Sequence, residues 1–356
     1  MRERFDPIMQ AELVRRGIGE AEPLSRDFWI QRHEQKLGIA MAGSIAIERF
    51  FEDPDVDERL FTRSVLEEVM EAHPAEYQES IVKSTLHECF DRRRKIAKLR
   101  DKYPDDRDLF RAIFRYQSMG RQREEGIQAT LRPLTIHFRM DLPLYQKLWN
   151  REGFDSGGFF NRSMPEVTFA KGLHSSETTL VHEETHAIYH LMRNILSKAL
   201  KKSIFQPRAP SEEDLFRRMK TDFEGSLDAF LRARLFADGD RIKDEIFAFT
   251  RQATRNRQSI SSSLTRKSQD KGLYDYYAWD LKRLKESLGG RLQGEERVRA
   301  LAFVETRFPV MHKQLVNDAL KTLHVMMENK GLDTMTAFFY LVDIPLEKWS
   351  QELEWF

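Results

Sequence analysis

Two short stretches in the middle of the chain set the terms of the fold. "TLRPLTIHFRMDLPLY" and "GGFFNRSMPEVTFAKG" alternate apolar with polar residues, carry Thr, Phe, Val and Ile, and are bounded by Gly and Pro. Those are strand signals, and no other part of the chain carries them convincingly. Before them, in "DFWIQRHEQKLGIAMAGSIAIERFF" and "RLFTRSVLEEVMEAHP", apolar residues recur every three or four positions. "YPDDRDLFRAIFRYQSMG" follows the same logic, with proline and aspartates to start a helix and Gly120 to stop it. From Ser176 the helical period returns and persists almost to the C-terminus. Helices, then a small sheet, then helices predict an α+β, predominantly helical chain and not a doubly wound one. The expected division is a helical region over 1–125 and a second unit over 126–356. Within the latter, 126–204 hold a small mixed β-sheet plus a key helix, and 205–356 a helical C-terminal lobe.

Composition narrows the partners. The 356 residues are 40% hydrophobic, and 58 basic against 57 acidic side chains leave a net charge of +1. Such a balance supplies no overall field to draw the chain onto nucleic acid or an anionic membrane. The basic stretches over 92–102 and 251–271 leave room for a local patch. "DRRRKIAKLRDK" reads as a solvated helix face, and "TRQATRNRQSISSSLTRKSQDKG" as a mobile loop or charged helix edge. Cys89 is the only cysteine, which rules out an intramolecular disulfide and a thiolate-rich zinc site, and it reads as a small buried side chain. "MRERFDPIMQAELVRRG" lacks the apolar stretch of a secretory signal. The longest apolar run, "GIAMAGSIAI", has about half the roughly 20 residues a membrane helix needs and reads as a buried helix. A cytoplasmic protein without a membrane span is the expectation.

The chemistry concentrates in "SSETTLVHEETHAIYH", directly after the strands. Residues four apart on a helix lie about one turn apart on one face, so His182 and His186 present their imidazoles side by side, able to share one metal ion. Glu183 projects from the neighbouring side of that face, within reach of a water on the metal, whereas Glu184 points to the opposite side of the helix. Zinc lowers the pKa of such a water, a glutamate takes its proton, and the resulting nucleophile attacks a carbonyl. Leu180, Ala187, Ile188, Leu191 and Ile195 cluster on another side, and Ser175 or Ser176 caps the start with Glu177 in the first turn. His190 lies roughly 12 Å along the axis from His182, too far to share the ion. The bland alternative is a polar helix with two histidines in chance register.

A third ligand is sought downstream in "RRMKTDFEGSLDAFLRARLF". Glu224 and Asp228 are four apart on a helix whose apolar side is Leu215, Met219, Phe223, Leu227, Phe230 and Leu231. Glu224 would complete a His₂Glu site, and Asp228 would accept the free N–H of one imidazole. The competing reading is an exposed acidic pair.

"HEETH" followed by "FEGSLDAF" resembles the gluzincin metallopeptidases, the thermolysin-like and aminopeptidase-like group. The resemblance covers roughly Leu131 to Leu235. It implies a zincin-like catalytic core with one zinc ion on His182, His186 and Glu224, Glu183 as general base, and Asp228 behind the ligands. It also implies a peptide or protein substrate laid along an edge strand, here "EVTFAKG". A tyrosine from "GLYDYYAWDLKRL" would stabilise the oxyanion, Tyr274 first, with Tyr277 from the same stretch and His312 further along behind it. The separation of His186 from Glu224 departs from the compact members, leaving room for an insertion such as "SIFQPRAPSEED". His137 and His174 flank the motif and line the cleft or sit on a strand edge. The rival to a zinc peptidase is an inactive or regulatory zincin-fold protein that binds protein or DNA, and behind it stands a helical interaction protein without metal.

Overall fold

Among the described residues, the stretches with an apolar period of three to four are helical, and the two alternating stretches contribute the strands of one sheet. The computed structural model describes residues 26–73, 76–114, 126–149, 158–161, 166–170, 176–199, 211–255 and 278–355. In chain order the elements are α1 (Arg26–Glu52), α2 (Glu58–Ala72), α3 (Glu76–Lys102), α4 (Asp106–Phe114), β1 (Ile127–Leu131), β2 (Ile136–Met140), α5 (Leu142–Trp149), β3 (Gly158–Asn161) and β4 (Glu166–Ala170). They continue as α6 (Ser176–Ala199), α7 (Glu212–Met219), α8 (Phe223–Ala237), α9 (Gly239–Arg255), α10 (Ala278–Arg291), α11 (Gly294–Lys330), α12 (Thr334–Leu341) and α13 (Trp349–Glu352). The fold is mostly helical with one small mixed sheet, as the pattern of the sequence predicts.

The four strands lie in the order β1-β2-β4-β3. β1 and β2 form an antiparallel hairpin, β2 runs parallel to β4, and β3 pairs antiparallel with β4. The sequence "EVTFA" is buried at every position, because β4 has neighbours on both edges and cover on both faces. The edge strand beside it is therefore β3, "GFFN", and not the "EVTFAKG" segment predicted for that place. One face of the sheet, with Ile136, Phe138, Met140 and Ala170, packs on Leu109, Phe110 and Ile113 of α4 and on Leu144 and Tyr145 of α5. The other face presents Phe160, Val167 and Phe169 to Leu180 and Ala187 of α6.

Behind α6 lies the main core. Ile39, Ala42, Ala46, Ile47 and Phe50 of α1, from the apolar run and the turn after it, share it with Ile188, Met192 and Ile195 of α6, Ile246 and Phe247 of α9 and Phe338 and Phe339 of α12. Gly43 lets α12 approach α1: a Cβ there would stand 2.6 Å from the Phe339 ring. The first three helices thus pack into the same core as the C-terminal ones. Among the described residues no helix is long and apolar enough to cross a membrane. Cys89 is fully buried, and burial pushes its thiol far above the usual range.

One carboxylate in the sheet is out of keeping with its place. Glu166 opens β4 with no exposed surface, and burial raises it to about 8, against a small opposing effect of Asn161. Folding thus retains a proton that the unfolded chain releases near 4.5. The stabilisation is complete below that value and is lost as pH rises through about 8. Between those limits stability should fall by up to about 1.4 kcal/mol per pH unit from this group. Glu166→Gln should flatten that slope and leave the variant more stable than wild type at alkaline pH, read from denaturant midpoints across the range.

Candidate metal centre

α6 is buried almost all round from Leu180 to Met192, because the sheet covers one side, α3 and the main core another and α9 a third. Its polar residues consequently need internal partners, and α9 supplies most of them. Tyr189 Oη donates to Asp240 Oδ1 at 2.8 Å, and Arg193 reaches Asp240 Oδ2 at 2.5 Å. A turn further along α9, His186 Nδ1 lies 2.7 Å from Asp244 Oδ1. Beyond that, Arg251 Nη1 donates to Thr185 Oγ1 at 3.2 Å, and His182 Nδ1 lies 3.1 Å from Gln252 Oε1. Positions rising along α9 meet positions falling along α6, so the two helices are antiparallel.

An amide oxygen and a carboxylate can only accept, so both Nδ1 atoms donate and both Nε2 atoms are left as ligand positions. Those two nitrogens face one group. Glu245 places Oε2 3.5 Å from His182 Nε2 and Oε1 3.8 Å from His186 Nε2. One donor atom from each of His182, His186 and Glu245 falls within 4.8 Å of the others. Donors held 2.0–2.1 Å from a tetrahedral ion are about 3.4 Å apart, so the separations suit a shared cation. The charge suits it too. Burial alone would lower the His186 imidazole, yet the carboxylates of Asp244, Glu245 and Glu183 raise it to about 10. The pocket therefore favours added positive charge. Two imidazoles and a carboxylate, with outer partners already in place, fit zinc.

Glu183 stands beside this cluster, 7% exposed. Burial raises its carboxyl, the nearby His182 and His186 oppose that, and Glu245 and Asp244 add to it. Aromatic rings wall the histidines: Phe249 meets His182 edge-on at 4.7 Å between centroids, and Phe160 of β3 stacks on His186 at 6.2 Å. Glu184 does turn to the other side of α6, but into the sheet and not into solvent. Its Oε1 lies 3.3 Å from Arg132 Nε and 3.4 Å from His137 Nε2. Burial works against the Glu184 anion, and His137, Arg132 and Arg251 outweigh it, holding the carboxyl below its ordinary value.

The structure does not bring Glu224 to the histidines. It occupies the first turn of α8, where an acidic side chain complements the helix N-terminus, is 70% exposed, and lies 3.8 Å from Arg299. Asp228 accepts from Arg232 Nε at 2.7 Å and Arg307 Nε at 2.8 Å, and so is turned to the guanidinium groups of α8 and α11. The carboxylate that does stand beside the two imidazoles is Glu245, and the Nδ1 atoms meet Asp244 and Gln252 rather than Asp228. All three were missed in the sequence, although "IKDEIFAFTRQ" sets acids directly among Ile242, Ile246 and Phe249. His312 is in the α11 core, where burial and Arg241 pull it down to about 4, and it takes no part in the cluster. His190 stacks on Phe160 and lies 3.7 Å from Asp244 Oδ2, outside the ligand group. His137 is buried against Glu184. Tyr274, Tyr277 and His174 lie outside the described residues, as does the 256–272 part of the Ser- and Arg-rich stretch.

No family model matches the sequence, and comparison with the curated proteins and with the solved structures likewise finds no match.

Proposed function

We propose that the chain is a zinc-dependent peptidase with a zincin-like core, its ion held by His182, His186 and Glu245. The observation that carries the reading is the convergence of these three donors beside a buried glutamate that binds neither histidine. When bound, the ion acts as a Lewis acid that lowers the pKa of a coordinated water and polarises a carbonyl. The protein does the rest. Gln252 and Asp244 fix the tautomer and tilt of the two imidazoles. Glu183 takes the proton of the attacking water and passes it to the departing amine nitrogen, a transfer its raised pKa favours. Phe249 and Phe160 keep bulk water from the ligands. Among the described residues β3 is an edge strand of the sheet, and an extended peptide aligned beside it by β-strand addition would cross the base.

The test is metal removal. Incubation with a strong chelator should abolish hydrolysis of a fluorogenic peptide library, and one equivalent of zinc should restore it. Hydrolysis that survives complete demetallation would end the reading.

A further inference from the structure

Gly158 opens the edge strand and faces α6, in register with Phe169 of β4. Among the described residues the glycines with positive φ are Gly294 and Gly331, so Gly158 is not required by its backbone conformation. It is required by space. A Cβ at Gly158 would stand 2.6 Å from Thr179 Cγ2, 2.9 Å from Glu183 Cγ and 3.0 Å from Glu183 Oε1. Thr179 and Glu183 are four apart and form one stripe of the helix against the strand. Thr179 is β-branched and stiff at χ1 in a helix, so it yields little. Glu183 is buried between that strand and the two histidines, and a longer side chain on an unbranched stem moves more readily. Two residues along the same face, Phe160 leans on His186, so the strand touches both the base and the ligand beside it.

We propose that Gly158 is a positioning residue for Glu183: the missing side chain at the head of β3 lets the carboxylate lie against the strand backbone, which fixes it relative to the two imidazoles. The role as a base rests on the peptidase reading. The contact itself does not.

The experiment compares Gly158→Ala with wild type, and repeats the pair in a Thr179→Ser background. That background removes the γ-methyl and leaves Glu183 as the close neighbour of the new Cβ. Zinc per chain, kcat and KM on one peptide are measured for all four proteins. In zinc-free protein of the Thr179→Ser background, the unfolding midpoint shift caused by Gly158→Ala is measured with and without Glu183→Ala. Zinc should stay stoichiometric and KM near wild type, while kcat falls on the order of 10–100-fold in both backgrounds, the usual cost of displacing a reacting group by about an ångström. Glu183→Ala should remove most of the midpoint shift. Recovery of kcat in the Thr179→Ser background, or a midpoint shift indifferent to Glu183, would overturn the proposal. If wild type cleaves no peptide, the peptidase reading falls, and the zinc-free coupling still decides whether Gly158 sets the position of Glu183.

Discussion

Glu245→Ala should abolish stoichiometric zinc binding, whereas Glu224→Ala should leave it intact. Glu245 is 10% exposed and faces both Nε2 atoms, so its removal takes one of three protein donors and a charge that the pocket holds against the imidazoles. Loss of an outer partner of a ligand weakens a site by about 10–100-fold, and loss of a ligand itself should exceed that range. Glu224 is a surface acid at a helix start whose contact with Arg299 is exposed, so its truncation touches neither the site nor the core. Competition against a zinc-binding dye separates the two. Equal losses in both variants, or a loss confined to Glu224→Ala, would move the third ligand back to α8.

The second large effect is on turnover alone. Glu183→Gln keeps the shape of a buried side chain while removing its ability to take a proton. General acid–base catalysis of this kind contributes about 10²–10⁴-fold, and kcat should fall within that range. Zinc content should not change, because Glu183 is not among the converging donors. The folded protein should be no less stable than wild type, since burial already disfavours the charged form of Glu183. Turnover within a few-fold of wild type would remove Glu183 from the mechanism.

How much of this could be read in advance depends on where the periodicity is clear. The helical stretches, the small sheet and the placement of "HEETH" on a helix directly after it were legible, because alternation and the three-to-four period differ sharply there. The edge strand was misplaced because alternation marks strands but not their order, and β4 reaches the interior only by pairing in parallel with β2. The carboxylate beside the two histidines was missed for a different reason. Glu224 and Asp228 were chosen for their spacing on an amphipathic helix, but an acid in the first turn of a helix serves its N-terminus equally well. Glu245 sits on a helix buried on nearly every side, where Lys243, Asp244 and Arg251 are buried as well. A one-face pattern gives no guide there. Its better signal was chemical: acids interleaved with apolar residues need internal partners, and the buried imidazoles of α6 are such partners.

The central claim is that one ion is shared by His182, His186 and Glu245. Crystals of the protein loaded with one equivalent of zinc, measured on both sides of the zinc absorption edge, test it directly. A single anomalous peak at bonding distance from both Nε2 atoms and one Glu245 carboxylate oxygen is the predicted result. No peak beside the two histidines, or a peak there whose carboxylate comes from Glu224, would contradict it.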